Sequence, residues 1–210
     1  MDKNYLHSLE KELEGTLHLD DLNRALYATD ASVYRKIPLA VAFPKSTADI
    51  QKLVHFAASH KIGLIPRTAG TSLAGQCVGE GIVVDVSRHF TQIISLNKEL
   101  KQVTLQPGVV RDELNAYLKP HGLFFGPNTS TANRCMIGGM VGNNSSGTTS
   151  IQYGVTRDKV VEMKTVLSDG SLAEFRSLSS EEYLAKTKEE SFEGKVYKKL
   201  LKELSDKEIR

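Results

Sequence analysis

At 210 residues the chain has room for one large domain or two small lobes with cores of their own. Its 27 Lys and Arg nearly balance 25 Asp and Glu, and no basic stripe interleaved with aromatics occurs, so nucleic acid is not an expected partner. No apolar run approaches the roughly 20 residues of a membrane span. The charged N-terminus MDKNYLHSLEKELEG lacks the apolar core of a signal peptide, and residence in the cytoplasm, or peripherally on the inner membrane face, is the expectation.

Cys77 and Cys135 stand far apart with no CxxC, so two reduced thiols are expected. The six histidines are scattered, and His55 and His60, five apart, do not share a helix face. No metal site is expected.

In chain order, residues 3–15 read as a helix ended by Gly15, followed by an irregular stretch through Pro38. Val41–Phe43 reads as a short strand. Ser46 and Asp49 resemble a capping box opening a helix whose Ile50, Leu53, Val54 and Ala57 form one apolar stripe. Strands follow at 62–66 and 81–86, and the connection between parallel strands should be a right-handed crossover. Residues 92–96 and 102–106 read as a hairpin. A second amphipathic helix carries Val110, Leu114, Tyr117 and Leu118. Ile137–Gly142 reads as a glycine-rich helix start, and strands at 159–167 and 171–175 are joined by Ser168-Asp169-Gly170. The tail reads as a helix from Ser179 and another over 195–205. Val196, Leu200 and Leu204 fall on one stripe of the latter, with nothing after it to cover them.

Two tracts carry the chemistry. The first, PRTAGTSLAGQ (66–76), follows the strand at 62–66 and, apart from Pro66, Arg67, Leu73 and Gln76, consists of Gly, Ala, Thr and Ser. Such a segment cannot build a core, but its backbone N–H groups can gather around one anion, which suits a pyrophosphate. A plain surface turn is the alternative. There is no GxGxxG, and Gln76-Cys77 stands where a P-loop needs Lys-Ser/Thr, which argues against Rossmann binding and NTPase chemistry. The second tract, Gly126–Gly154, holds six glycines amid Ser, Thr and Asn. Met136, Ile137, Met140 and Val141 interrupt it at near-helical spacing, which favours an ordered, ligand-facing segment over a flexible linker.

With PRTAGTSLAGQ, LQPGVV (105–110), HGLFFGPNTSTANRCMIGGMVGNNSSG (121–147) and YGVTRDKV (153–160) in hand, the chain resembles the FAD-binding domain of the vanillyl-alcohol oxidase/p-cresol methylhydroxylase superfamily. Within it, the likeness is to FAD-linked 2-hydroxy-acid dehydrogenases, including the long bacterial form fused to iron–sulfur carriers. A sugar-nucleotide peptidoglycan enzyme sharing the flavin fold fits the TSLAGQ and ANRCMIGG details less well. The resemblance implies an α+β, two-lobed domain with a small parallel βαβ sheet lobe and a larger, mostly antiparallel lobe. The expected division is a helical segment over 1–39, lobes over 40–88 and 89–178, and a helical tail over 179–210 leading to a substrate domain outside the chain.

It also implies that Arg67, Thr68, Ala69, Gly70, Thr71, Ser72 and Gly75 hold the FAD pyrophosphate and adenosine side. Ala69 stands where the family often has glycine, and is strained only if that position needs positive φ. Pro127, Thr131, Met136, Ile137, Gly138, Gly139, Asn143, Ser146 and Gly147 would line the ribityl chain and flavin, with Tyr153, Gly154 and Val161 near the adenine and ring system. Some relatives carry a flavin-linking histidine at the position of Thr71, so FAD is expected to be non-covalent here. The implied activity is oxidation of a small D-2-hydroxy acid such as lactate, glycolate or 2-hydroxyglutarate. Its catalytic and metal-binding residues would lie outside the chain, and its electrons would pass to an iron–sulfur domain or subunit. A stand-alone nucleotide-binding subunit without turnover is the alternative.

Overall fold

The computed structural model describes residues 4–205. The chain divides into two compact units, one through Val160 and one from Val161.

In the first unit, helix α1 (Asn4–Glu12) leads through Gly15 to strand β1 (Thr16–His18) and helix α2 (Asp21–Leu26), which is capped by the Asp20 carboxylate on the Asn23 N–H. Strand β2 (Ala40–Phe43), helix α3 (Thr47–His60), strand β3 (Leu64–Arg67) and strand β4 (Ile82–Asp85) complete a four-stranded sheet in the order β1-β2-β4-β3. β4 runs parallel to both neighbours, with Val41 and Ile65 both opposite Val83, while β1 adds an antiparallel edge. The central strands AVAF and IVVD are buried at every position, as a parallel strand covered on both faces must be. Alternation sends Ala40 and Ala42 into a cluster with Leu6, Leu9, Leu53 and Ile82, and Val41 and Phe43 to the other face beside Tyr27 and Ile65. β3 is the opposite edge and carries Pro66.

The expected helix over 3–15 is shorter than the reading, because the N–H groups of Glu14 and Gly15 donate to the buried Asp49 carboxylate at 2.9 Å each, drawing the chain out of helix; Lys3 lies outside the described residues. Ser46 caps α3 as expected, accepting from the Asp49 N–H. The Asp49 side chain does not complete a local box but accepts from Glu14, Gly15 and Lys45. Burial raises the Asp49 carboxyl, and these three donors outweigh it, holding the pKa below the ordinary 3.8.

Next come the hairpin of β5 (Ile93–Asn97) and β6 (Gln102–Leu105), helix α4 (Arg111–Leu118) with a 3-10 turn to His121, helix α5 (Ile137–Gly142) and the short helix α6 (Ser150–Tyr153). A second core gathers Val109, Leu114, Leu118, Cys135, Ile137 and Met140 against Ile93, Leu96, Val103 and Leu105. It fixes where α5 begins.

The second unit holds the antiparallel pair β7 (Glu162–Val166) and β8 (Leu172–Arg176), then helices α7 (Ser180–Lys186) and α8 (Phe192–Leu204). Ser179 and Glu182 close a reciprocal capping box on α7, and Arg176 holds Glu182 at 2.8 Å. α8 starts three residues before the expected 195 because Ser191 caps it through the Gly194 N–H. Among the described residues no helix is long and apolar enough to cross a membrane.

Candidate functional site

β3 delivers the chain at Arg67 into the loop that returns to β4. Among the described residues, the backbone N–H groups of Thr68, Ala69, Gly70, Thr71 and Ser72 donate to no protein acceptor, although every one of these residues is half-buried. Five successive donors without a protein partner can gather around one anion. Gly70 (φ +64°) and Gly75 (φ +72°) supply the left-handed turns. Ala69 does not share that conformation, since the non-glycine residues with positive φ among those described are Lys61, Lys101 and Asn144. The Ser72 hydroxyl donates to Gln76 Oε1 and accepts from the Ala74 N–H at 3.2 Å. Arg67 lies against the run of donors, where a Cβ on Gly70 would stand 2.5 Å from its Nη2; its Nη1 donates to the Thr29 carbonyl at 2.7 Å, and its guanidinium lies 4.9 Å from the Tyr27 ring centre.

The second tract is fastened from α4 and from the Pro107-Gly108 turn. Asn115 clasps Phe125 at both ends of its peptide, accepting from its N–H at 2.6 Å and donating to its carbonyl at 3.3 Å. Arg111 donates to the carbonyls of Phe125 and Pro127. The Ile137 and Gly138 N–H groups donate to Val109 and Pro107, and Met136 bridges to Val110. Ile137 is buried in the core, Met136 is half-buried at the cap, and the Thr131 carbonyl accepts from Arg134 and Cys135.

The structure brings the two tracts together at two points. A Cβ on Gly139 would stand 2.6 Å from Thr68 Oγ1, and Gln76 Nε2 donates to Asn143 Oδ1 at 2.8 Å. Gly138 presses on Pro107, and Gly147 on the Asn128 carbonyl, so neither has room for a side chain. Tyr153 packs edge-on to Phe124 and against Gly126, while Gly154 (φ +76°) faces Asp158. Pro127 is buried and Ser146 exposed, both within the second tract. Val161 belongs to the second unit and is 59% exposed.

Sequence reasoning missed Arg111, Asn115 and Asp30. The first two had no local signal, since their targets lie at least ten residues away; Asp30-Ala31-Ser32 did carry a turn signature. Burial, with Asp30 and Asp85 nearby, pushes the Cys77 thiol up against the pull of Arg67, so this loop thiol stays protonated and is a poor nucleophile. Among the described residues no group of His, Cys, Asp and Glu could hold a metal ion.

Unpaired donors beside a wall that excludes side chains fit a dinucleotide: main chain for the phosphates, glycine for a flat ring. The fold is similar to that of p-cresol methylhydroxylase (TM-score 0.70, 16% identity, 82% of this chain and 35% of that one). The chain belongs to the FAD binding domain family, whose model matches residues 38–176, more than half of it. Its cofactor is FAD. Among curated relatives, a D-2-hydroxyglutarate dehydrogenase from Haemophilus influenzae is 41% identical over 185 residues, 86% of this chain and 18% of that protein. A glycolate oxidase subunit from Bacillus subtilis is 34% identical over 165 residues, 77% of this chain and 35% of that one. The chain therefore spans about a fifth of the length of the first of these relatives.

Proposed function

We propose that the chain is the FAD-holding part of a D-2-hydroxy-acid dehydrogenase, with 2-hydroxyglutarate the foremost substrate and lactate and glycolate next. The run of unpaired N–H groups at Thr68–Ser72, set against Gly139, carries the reading. These five residues bind the pyrophosphate, with Gly75 toward the adenosine side. Gly138, Gly139, Asn143, Ser146 and Gly147 face the ribityl chain and ring, Pro127, Thr131, Met136 and Ile137 shape the wall, and Tyr153 and Gly154 close its end. Bound FAD supplies the hydride acceptor for oxidation at the α-carbon of the substrate. The protein's part is to orient the dinucleotide and keep water from it. Thr71 offers no imidazole to bond the flavin, and the cofactor is held non-covalently. Substrate-binding groups and an iron–sulfur electron acceptor are to be sought in the length that the relatives have beyond this chain, in a protein of the cytoplasm or its membrane face.

Titration with FAD, followed by flavin fluorescence, tests the cofactor half: saturable binding at one equivalent is expected, with all flavin released on acid precipitation. Anaerobic addition of D-2-hydroxyglutarate, D-lactate or glycolate to the FAD-loaded, full-length enzyme tests the rest. Bleaching of the flavin by one of them is expected; no bleaching by any leaves an FAD-binding subunit without turnover.

A further inference from the structure

The segment Tyr27–Arg35, YATDASVYR, belongs to no helix or named strand, yet it reaches the glycine-rich loop at four points. The Ala31 N–H donates to the Gly70 carbonyl at 3.1 Å. The Thr29 carbonyl accepts from Arg67 at 2.7 Å. Asp30 Oδ2 accepts from the Cys77 N–H at 3.4 Å. The Tyr34 ring, itself 58% exposed, lies so close to Gly75 that a Cβ there would come within 2.7 Å of Cδ2. Two of these contacts fall on Gly70 and Gly75, the glycines of the loop that take positive φ.

The segment is itself stiff. Asp30 Oδ1 accepts from the Ser32 N–H at 2.8 Å, and the Ser32 hydroxyl from the Tyr34 N–H at 3.1 Å, two successive side-chain turns. Lys36 donates to Ala28, and Thr29 bridges Arg35 across the base. Tyr27 anchors one end by donating to the buried Asp85 at 2.6 Å.

We propose that Tyr27–Arg35 is a brace that presets the pyrophosphate loop, with Asp30 and Tyr34 as positioning residues that do not touch the cofactor. This rests on the assignment of Thr68–Ser72 to the phosphates. A loop whose two glycines admit many backbone states pays an ordering cost when it closes on a ligand, and fixing those glycines beforehand removes it. Asp30 holds the loop's far end through Cys77, and the Tyr34 ring packs on Gly75.

The test is FAD affinity, by flavin fluorescence, beside the melting temperature without FAD. Asp30→Ala and Tyr34→Ala should each weaken binding about tenfold, with melting in the absence of FAD within about 2 °C of the parent. Tyr34→Phe keeps the ring and should restore parental affinity. Affinity within about twofold of the parent in both alanine variants overturns the brace. So does Tyr34→Phe binding as weakly as Tyr34→Ala, or a fall in melting without FAD that accompanies the loss of binding, which would mark a merely structural segment. A parent chain that binds no FAD overturns the phosphate assignment itself, and the brace with it.

Discussion

Gly139 sits where two physical demands pull in opposite directions. It lies inside α5 without positive φ, and it is exposed, so helix propensity alone predicts that a larger residue stabilises the fold by about 0.5–1 kcal/mol. Its Cα also faces Thr68, where a Cβ would stand 2.6 Å from Oγ1. Thr68 must then leave its rotamer, at a cost of about 0.5–1.5 kcal/mol. These terms nearly cancel, so Gly139→Ala should change urea-unfolding stability by less than about 1 kcal/mol. FAD binding has no such compensation. Leucine at 139 would fill the space between the tracts, and overpacking of this kind costs about 1–3 kcal/mol. Gly139→Leu should therefore weaken FAD at least about fivefold, and by more than about a hundredfold at the upper end. The assay pairs a fluorescence titration with an unfolding curve on the same preparation. A Gly139→Leu variant that unfolds like the parent and keeps its FAD affinity would refute the placement of the ring against this glycine.

Two further outcomes follow from the geometry. Asp49 accepts three backbone N–H groups, so Asp49→Asn, which keeps one acceptor oxygen, should cost about 2–4 kcal/mol in urea unfolding at pH 7. Because its folded pKa lies below 3.8, its contribution is present above that pH and disappears as pH falls through the depressed value. The gap between parent and Asp49→Asn should accordingly narrow below about pH 4, and a constant gap down to pH 2 would contradict it. Asn115→Ala removes both bonds to Phe125 and should cost about 1–3 kcal/mol of stability. It should also raise the hydrogen-exchange rate of the Phe125 amide.

Periodic elements were legible in the sequence, and the ties between them were not. The α3 stripe and its Ser46 cap, the apolar runs of β2 and β4, and the β5–β6 hairpin all follow from local spacing, and the structure has each within a few residues. β1 is three residues long and owes its existence to pairing with β2, so no local pattern announces it. Asp49 looks like half of a capping box, but its carboxylate serves Glu14 and Gly15, 35 and 34 residues away in sequence. At the site, composition revealed the two small-residue tracts; their meeting at Thr68 and Gly139 is tertiary. Tyr27–Arg35 reads as irregular because it is built from side-chain turns, which have no period.

Pro66 has a consequence beyond shaping β3. The carbonyls of Gly63 and Arg67 accept from Ile82 and Val86 of the β4 side, so the odd positions of β3 face β4 and the even ones face outward. At residue 66 the outward position carries no N–H at all. A stray strand aligning along this border would meet an acceptor without its companion donor, and a pyrrolidine ring in its way. The sheet thus terminates itself one residue before the cofactor loop, which leaves that loop free of competing strand partners.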